Sequence, residues 1–511
     1  MMAAQSILTP VVLSDLLSGL VELSTALDRP VDSLTLDSRS LQPGGLFLAC
    51  RGGSHHGLAF LSQAIDRGAA AVVAEPDEHW TPEVIRGLGE SALVPVISLP
   101  GLGRLISLIA GRFYGEPSEG MSVVGFTGTN GKTSCTQFLA QAMAPDVRCG
   151  IIGTLGCGFP GALDIGIHTT PDPVTLQSML ARLRDGGAAA VAMEVSSHAL
   201  EQGRAAAVDF DTAVLTNLSR DHLDYHGSMA EYAASKRRLF QSPGLGCVVV
   251  NLDDPFGREL IVELPTTLNR IGYGLENRVQ SFPGVDRWIQ ADGIDSSESG
   301  MRIRVRGSWG EGELKTPLLG HFNVSNLLAV LSVLLNHGLP LRQALMRLSK
   351  LQTVSGRMER FGGATQPLVV VDYAHTPDAL KHVLTALRDH TSGRLICLFG
   401  CGGERDRGKR PQMGAIAELI ADRVFVTDDN PRREDGAQIR REILEGMKRP
   451  AQAVVVPDRA QAIREAVAAA GPGDLVLIAG KGHETTQQVG DIKLPFSDRE
   501  QVVEALAEGR R

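Results

Sequence analysis

The residues best able to do chemistry in this chain begin with Thr127-Gly128-Thr129-Asn130-Gly131-Lys132-Thr133, followed by Ser134. Glycines in such a loop let backbone N–H groups approach phosphate oxygens, and a helix starting behind it adds its dipole. Lys132 would reach the β- and γ-phosphates, and the Thr133 hydroxyl would bind Mg2+. The first glycine position of the general pattern is Phe126 here. Apolar strand, loop and helical pattern nevertheless follow in the required order, so ATP binding is expected. Glu194 ends a buried apolar run, where a carboxylate would face the same crevice and could ligate a metal. A later run ends in Thr216-Asn217-Leu218-Ser219-Arg220-Asp221-His222, with His226 four residues on. The residue after His222 is Leu223, so the general base of an H-E-x-x-H zinc site is missing. A single imidazole, His222, remains as a candidate for a Mg2+ shell, although that ion prefers oxygen.

Elements that could position these groups fall into three zones. Residues 1–99 carry short apolar runs (Leu46–Ala49, Ala70–Ala74, Val94–Ile97) separated by helical stretches. Between 100 and 350 the alternation of strand and helix is stronger, with runs at Ser122–Thr127, Ala190–Met193, Ala213–Thr216 and Cys247–Val250. Residues 351–511 restart the pattern at Leu368–Val371, Leu395–Phe399, Val424–Val426, Val454–Val456 and Leu475–Ile478. Continuous apolar runs alternating with helices predict strands buried on both faces of mostly parallel sheets. The expected class is α/β in three domains: an N-terminal α/β domain, a central P-loop domain and a C-terminal Rossmann-like doubly wound domain. The segment from about 265 to 315, with alternating Met301-Arg302-Ile303-Arg304-Val305-Arg306, predicts an antiparallel edge or hairpin insertion.

Composition narrows the class of function. The chain has 511 residues, too many for one ordinary domain. Its 50 basic and 58 acidic residues leave a net charge of −8 with no basic block, which argues against nucleic acid or an anionic membrane as partner. The first basic residue is Arg29 and no apolar run approaches a bilayer span, so neither a secretory signal nor a membrane anchor is expected. Seven scattered cysteines, an odd number, read as reduced thiols of a cytoplasmic enzyme.

Taken together these motifs resemble the Mur ligases, the ATP-dependent amide-forming enzymes of peptidoglycan precursor synthesis. The likeness extends over essentially the whole chain. It includes the phosphate loop, Glu194-Val195-Ser196-Ser197-His198, Asn217–His222, Gly320–Asn326, Gly356-Arg357-Met358-Glu359, Asp372–Asp378 and Gly480-Lys481-Gly482-His483-Glu484. The start, Leu36-Asp37-Ser38-Arg39 with Pro43–Ala49, is similar to the uridine-nucleotide domain of the branch that adds the third amino acid. Asp429-Asn430-Pro431-Arg432 is similar to the run in members that add meso-diaminopimelate, where lysine-adding members differ.

The resemblance implies phosphorylation of the D-Glu γ-carboxylate of UDP-MurNAc-L-Ala-D-Glu by ATP, then attack by the diaminopimelate amine on the acyl phosphate. It implies a catalytic set of Lys132, Glu194, His222 and Lys236. Mg2+ would be held by Thr133, Glu194, His222 and Lys236 as a carbamate, although Lys236 by itself reads as a solvated helix lysine. ATP would be bound by Gly128–Ser134 with Asn326, Arg357 and Asp372. Leu36, Ser38, Gly53, Ser54 and His55 would contact the uridine nucleotide. Thr169, Thr170, Ser196, Gln202 and Arg204 would hold the muramoyl-dipeptide end, with His168 standing where relatives often have Asn. Diaminopimelate would meet Arg405, Asp429, Asn430, Pro431, Arg432, Gly480 and Glu484. Arg432 makes physical sense there, because a guanidinium fork pairs bidentately with a distal carboxylate that lysine lacks. Gly436 replaces a proline common in relatives, for which only a loop effect is expected. The enzyme is expected to act as a monomer on small molecules. A folylpolyglutamate synthetase, a lysine-adding Mur ligase and a nucleotide-binding regulator without turnover are the competing readings.

Overall fold

The computed structural model describes residues 11–53, 55–92, 94–164, 166, 168–275 and 279–508. The chain divides into two compact units. One comprises the residues up to 136 with 143–250 and 254–270. The other comprises 137–142, 251–253 and the residues from 271 onward.

In the first unit a four-stranded parallel sheet runs in sequence order through Ser33–Thr35, Gly45–Ala49, Ala71–Ala74 and Val96–Ser98. Its apolar runs are continuous because each face has its own core. Leu46, Leu48, Ala71 and Val73 pack on one side, and Phe47, Ala49, Val72 and Ala74 on the other. The phosphate-loop strand Ser122–Thr127 lies in a second sheet, parallel to Ala190–Glu194 on one side and Thr212–Leu215 on the other. Cys247–Asn251 continues beyond Thr212–Leu215, and Cys149–Gly153 beyond Ala190–Glu194. A short antiparallel hairpin, Gly156–Phe159 with Ala162–Asp164, extends that edge. It was not visible as alternation, because its strands consist largely of glycine and small residues.

In the second unit Arg287–Ser297, Gly300–Gly307 and Gly310–Thr316 form an antiparallel meander, as the alternation near Met301 predicts. The C-terminal sheet has the order Glu359–Gly362, Leu368–Asp372, Leu475–Ala479, Leu395–Phe399, Arg423–Val426, Val454–Val455. All its neighbours are parallel except the first pair. Val370, Cys397 and Leu477 pack against helices Pro377–Arg388 and Lys409–Ile420 on one face. Val369, Ile396 and Leu398 pack against Arg459–Ala468 and Asp498–Glu508 on the other. Helices on both faces leave the C-terminal strand ends as the place where a ligand can sit. Gly436 opens the helix Gly436–Leu444, whose first turn is capped by the Asp435 carboxylate. The expected loop effect of that residue is therefore an effect at a helix N-terminus, the position at which proline is also tolerated.

Candidate active site

The phosphate loop is held by the strand end beside it. Thr129 N–H donates to Asn217 O at 2.9 Å, Asn130 N–H to Asn217 Oδ1 at 2.9 Å, and Thr216 Oγ1 to Asn130 O at 2.6 Å. Gly128 has φ +148°, and a Cβ there would lie 1.9 Å from Thr216 Oγ1 and 2.9 Å from Asn217 O. Only glycine fits so close an approach. Helix Lys132–Met143 starts directly after the loop, and Lys132 Nζ reaches back to Gly128 O at 2.7 Å and Thr129 O at 3.0 Å. The ammonium is thus held at the loop itself.

Glu194 ends its strand fully buried and accepts three hydrogen bonds. They come from Thr133 Oγ1 at 3.0 Å, Thr154 N–H at 2.8 Å and Thr154 Oγ1 at 3.2 Å. A hydroxyl and a carboxylate in contact make an oxygen donor pair suited to a hard cation such as Mg2+. Among the described residues no three His, Cys, Asp or Glu side chains form a ready-made metal cluster. His222 instead stands edge-on to His198, ring centroids 4.9 Å apart, while His198 lies against Tyr225 with centroids 4.1 Å apart and planes tilted by 41°. The backbone of His222 is left-handed, φ 53°. Such strain is costly for a side-chain-bearing residue and concentrates at functional sites. Burial, then the neighbouring His222 and His226, hold the His198 imidazole below its ordinary range.

Lys236 departs from the reading of a solvated helix lysine: it is 1% exposed. Helix Met229–Arg237 begins at the Ser228 cap, and Tyr232, Ser235 and Lys236 fall at helical spacing on its buried face. Ser235 Oγ donates to Ser197 O at 2.7 Å, and Lys236 Nζ sits 4.5 Å from the centre of the Tyr232 ring. Burial first, and the Lys132 ammonium second, push the Lys236 amine well down, with Asp221 opposing. A neutral amine is the form that adds carbon dioxide to become a carbamate.

The residues assigned to the UDP-dipeptide form two groups in the first unit. Leu36, Ser38, Gly53 and His55 follow the paired strands Ser33–Thr35 and Gly45–Ala49, with Ser38 Oγ donating to Gln63 Oε1 at 2.6 Å. Ser54 lies outside the described residues. Thr169, Thr170, Ser196, Gln202 and Arg204 are joined to the Glu194 region. Thr169 Oγ1 meets Thr154 Oγ1 at 3.0 Å, and Thr170 Oγ1 donates to Glu194 O at 2.9 Å while accepting from Ser196 N–H. Arg204 donates to Thr170 O and to Gln202 Oε1, and Gln202 Nε2 to Tyr225 OH.

The second unit holds the rest. Arg357 lies 4.6 Å from the centre of the Tyr373 ring, and its buried Nε has no hydrogen-bond partner among the described residues. Asp372, beside Tyr373, accepts from Met358 and Ala374 N–H at 2.8 Å each, while burial raises its carboxyl against the pull of Arg357. Asn326 lies on a different element, helix His321–Asn336, where it donates to Asn323.

The diaminopimelate candidates converge at strand C-termini. A Cβ on Gly480 would lie 2.6 Å from Asp429 Oδ2, so that carboxylate and the glycine backbone touch. Glu484 Oε2 accepts from Asn430 Nδ2 at 2.9 Å and from the buried Lys481 Nζ at 2.8 Å, and Lys481 also donates to Asn430 Oδ1 at 3.1 Å. Burial would raise the Glu484 carboxyl, but Lys481 and Asn430 more than offset it and hold it low. Asp429, by contrast, is raised by burial despite Arg459 and Lys481. Arg432 has a left-handed backbone, φ 52°, and donates Nη1 to Gly403 O at 2.6 Å. Pro431 is buried, and Arg405 is exposed beside Glu404. Sequence reasoning passed over Thr154, His198, Tyr225, Tyr232 and Lys481. His198 and Lys481 stand inside the quoted motifs, which was the available signal. Tyr225 lies between His222 and His226 and Tyr232 four residues before Lys236, so they had the same kind of signal, whereas Thr154 carries none.

Residues 126–334 match the Mur ligase middle domain, 356–482 the Mur ligase, glutamate ligase domain, and 30–114 the Mur ligase family, catalytic domain. The chain is 52% identical to the UDP-N-acetylmuramoyl-L-alanyl-D-glutamate--2,6-diaminopimelate ligase of Alkalilimnicola ehrlichii, over 97% of this chain and 99% of that protein. Identity to the Pseudomonas aeruginosa protein of the same name is 51%, covering 94% of this chain and 96% of that one. A solved structure of a ligase of that name superposes with a TM-score of 0.72 at 33% identity, covering 98% of this chain and all of the other.

Proposed function

The chain belongs to the Mur ligase family, and from that premise we propose an ATP-dependent ligase that joins meso-diaminopimelate to the D-Glu γ-carboxylate of UDP-MurNAc-L-Ala-D-Glu. The observation that carries the chemistry is the phosphate loop whose Thr133 hydroxyl is bonded to the buried Glu194. A carboxylate is a poor electrophile because its leaving group would be oxide. Transfer of the γ-phosphoryl group of ATP makes an acyl phosphate and ADP. The amine then adds to that carbonyl, and the tetrahedral intermediate expels phosphate. The first step brings two anions together, so it depends on charge neutralisation and positioning.

In this reading the backbone N–H groups of Gly128–Ser134 cradle the phosphates and Lys132 supplies fixed positive charge. Thr133 and Glu194 would hold Mg2+, which supplies further charge neutralisation at the phosphates. His222, and Lys236 as a carbamate, would complete the catalytic set. Arg357, stacked on Tyr373, with Asp372 and Asn326, would hold the nucleotide. Leu36, Ser38, Gly53, Ser54 and His55 take the uridine end. Thr169, Thr170, Ser196, Gln202 and Arg204 take the dipeptide end. Arg405, Asp429, Asn430, Arg432, Gly480 and Glu484 receive diaminopimelate: Glu484 faces an ammonium, and Arg432 the distal carboxylate. The functional division follows residues 1–99, 100–350 and 351–511. The protein acts as a cytoplasmic monomer; among the described residues no helix is long and apolar enough to cross a membrane. Phosphate release with ATP, Mg2+ and UDP-MurNAc-L-Ala-D-Glu tests the reading by comparing meso-diaminopimelate with L-lysine. Release only with diaminopimelate is expected. Equal release with lysine would overturn the assignment of Arg432, and release with neither would overturn the reaction.

A further inference from the structure

We infer that the two-stranded hairpin Thr486–Val489 with Ile492–Pro495 sets amino-acid specificity by clamping residues 429–433 from behind, with Gln487 as a positioning residue. The inference rests on the proposed role of Asn430 and Arg432. Five contacts tie the hairpin to that segment. Gln487 Nε2 donates to Asp429 O at 2.7 Å, and Gln488 N–H to Asn430 Oδ1 at 2.9 Å. Arg432 N–H donates to Gln488 O at 3.1 Å, and Gly490 N–H to Arg432 O at 2.7 Å, so Arg432 forms a parallel bridge with Val489. The Arg433 guanidinium pairs with Asp491 at 2.7 Å.

These contacts fix two orientations that the pocket requires. An amide side chain can present either its oxygen or its NH2 to a neighbour. Because Gln488 N–H and Lys481 Nζ both occupy Asn430 Oδ1, the NH2 is directed to Glu484. Arg432 adopts φ 52°, a conformation an L-residue keeps only when its surroundings impose it. Here both the N–H and the C=O of Arg432 are held by the hairpin. The rest of the hairpin is largely exposed, with Ile492 at 66% and Leu494 at 49%, so it contributes little core. Its two ends are already bonded, Phe496 N–H to Thr485 O at 3.0 Å, so residues 486–495 can be replaced by Gly-Gly.

The experiment compares three variants in the full-length enzyme. Gln487→Ala, which removes one hydrogen bond, is expected to raise KM for meso-diaminopimelate about five-fold with kcat and KM for ATP unchanged. Gln487→Glu keeps the shape but cannot donate, and is expected to be at least as impaired. The hairpin excision is expected to lower the preference for diaminopimelate over L-lysine by on the order of 100-fold, from loss of several such bonds. Arg432→Ala runs alongside. If it raises KM for diaminopimelate while the Gln487 variants behave as wild type, the hairpin inference is overturned and the pocket stands. If Arg432→Ala leaves diaminopimelate kinetics unchanged, the pocket reading fails first. Should the excised protein not fold, the two Gln487 variants decide alone.

Discussion

Gly153→Ala displaces the proposed metal-binding carboxylate of Glu194 without replacing any residue of the proposed catalytic set. Gly153 ends strand Cys149–Gly153 with an ordinary backbone conformation, so alanine itself introduces no φ strain. Its Cβ would lie 2.2 Å from Glu194 Oε1 and 2.8 Å from Glu194 Cδ and Cγ. Real Cβ contacts stop near 3.0 Å, so the carboxylate must retreat by roughly 0.8 Å (3.0 less 2.2). Glu194 is 1% exposed, so the shift cannot be absorbed by turning into solvent. The retreat stretches the 2.8 Å bond from Thr154 N–H and carries Oε2 out of register with Thr133 Oγ1. A hydrogen bond to a charged group is worth about 1.5–3 kcal/mol, and a misplacement of about 1 Å in a catalytic constellation costs about 100-fold. The expected result is a fall in kcat/KM for ATP of about 10- to 100-fold, with more Mg2+ needed for half-maximal rate. The assay is phosphate release with UDP-dipeptide and diaminopimelate saturating and ATP and Mg2+ each varied, alongside a thermal melt of each protein. Wild-type kcat/KM with an unchanged Mg2+ dependence would refute the role given to Glu194. A collapse of the melt with unchanged Mg2+ dependence of the remaining activity would make it a packing residue.

Two further outcomes are expected. Lys132→Ala removes the fixed charge held at the phosphate loop and should lower turnover by about 10³-fold or more, read as phosphate release, while the melting temperature stays near wild type. The Glu434 carboxyl is held down to about 2 by the buried Arg410 guanidinium and Glu404 N–H. Its folded value lies below its unfolded value, so its stabilising contribution is complete above about pH 4.5 and is lost as pH falls toward about 2. Melting temperature measured across that window should fall more steeply in the wild type than in Glu434→Gln, and parallel curves would show that the pairing is not what holds the carboxyl low.

Much was legible in the sequence because it is encoded by local rules. Apolar runs without alternation announced strands covered on both faces, and Ser122–Thr127 appears with those bounds. The phosphate loop is a local arrangement of strand end, glycines and helix start, so seven consecutive residues suffice to identify it. Asp429, Asn430, Gly480 and Glu484 could be named only through the resemblance of their short motifs to the Mur ligases, since Asp429-Asn430-Pro431-Arg432 by itself reads as a turn. Other features were decided only when distant segments met. Lys236 reads as a surface lysine along the chain, and only the packing of its helix buries it and depresses its amine. Thr154 carries no motif, yet it donates twice to Glu194 from 40 residues away. Residues 486–495 belong to none of the motifs read along the chain, yet their hairpin holds both the N–H and the C=O of Arg432, whose backbone is left-handed. Local patterns reflect each residue's own backbone and burial preferences. A carboxylate's orientation, an amine's charge state and an arginine's φ are imposed by partners remote in sequence, and only the tertiary structure supplies those.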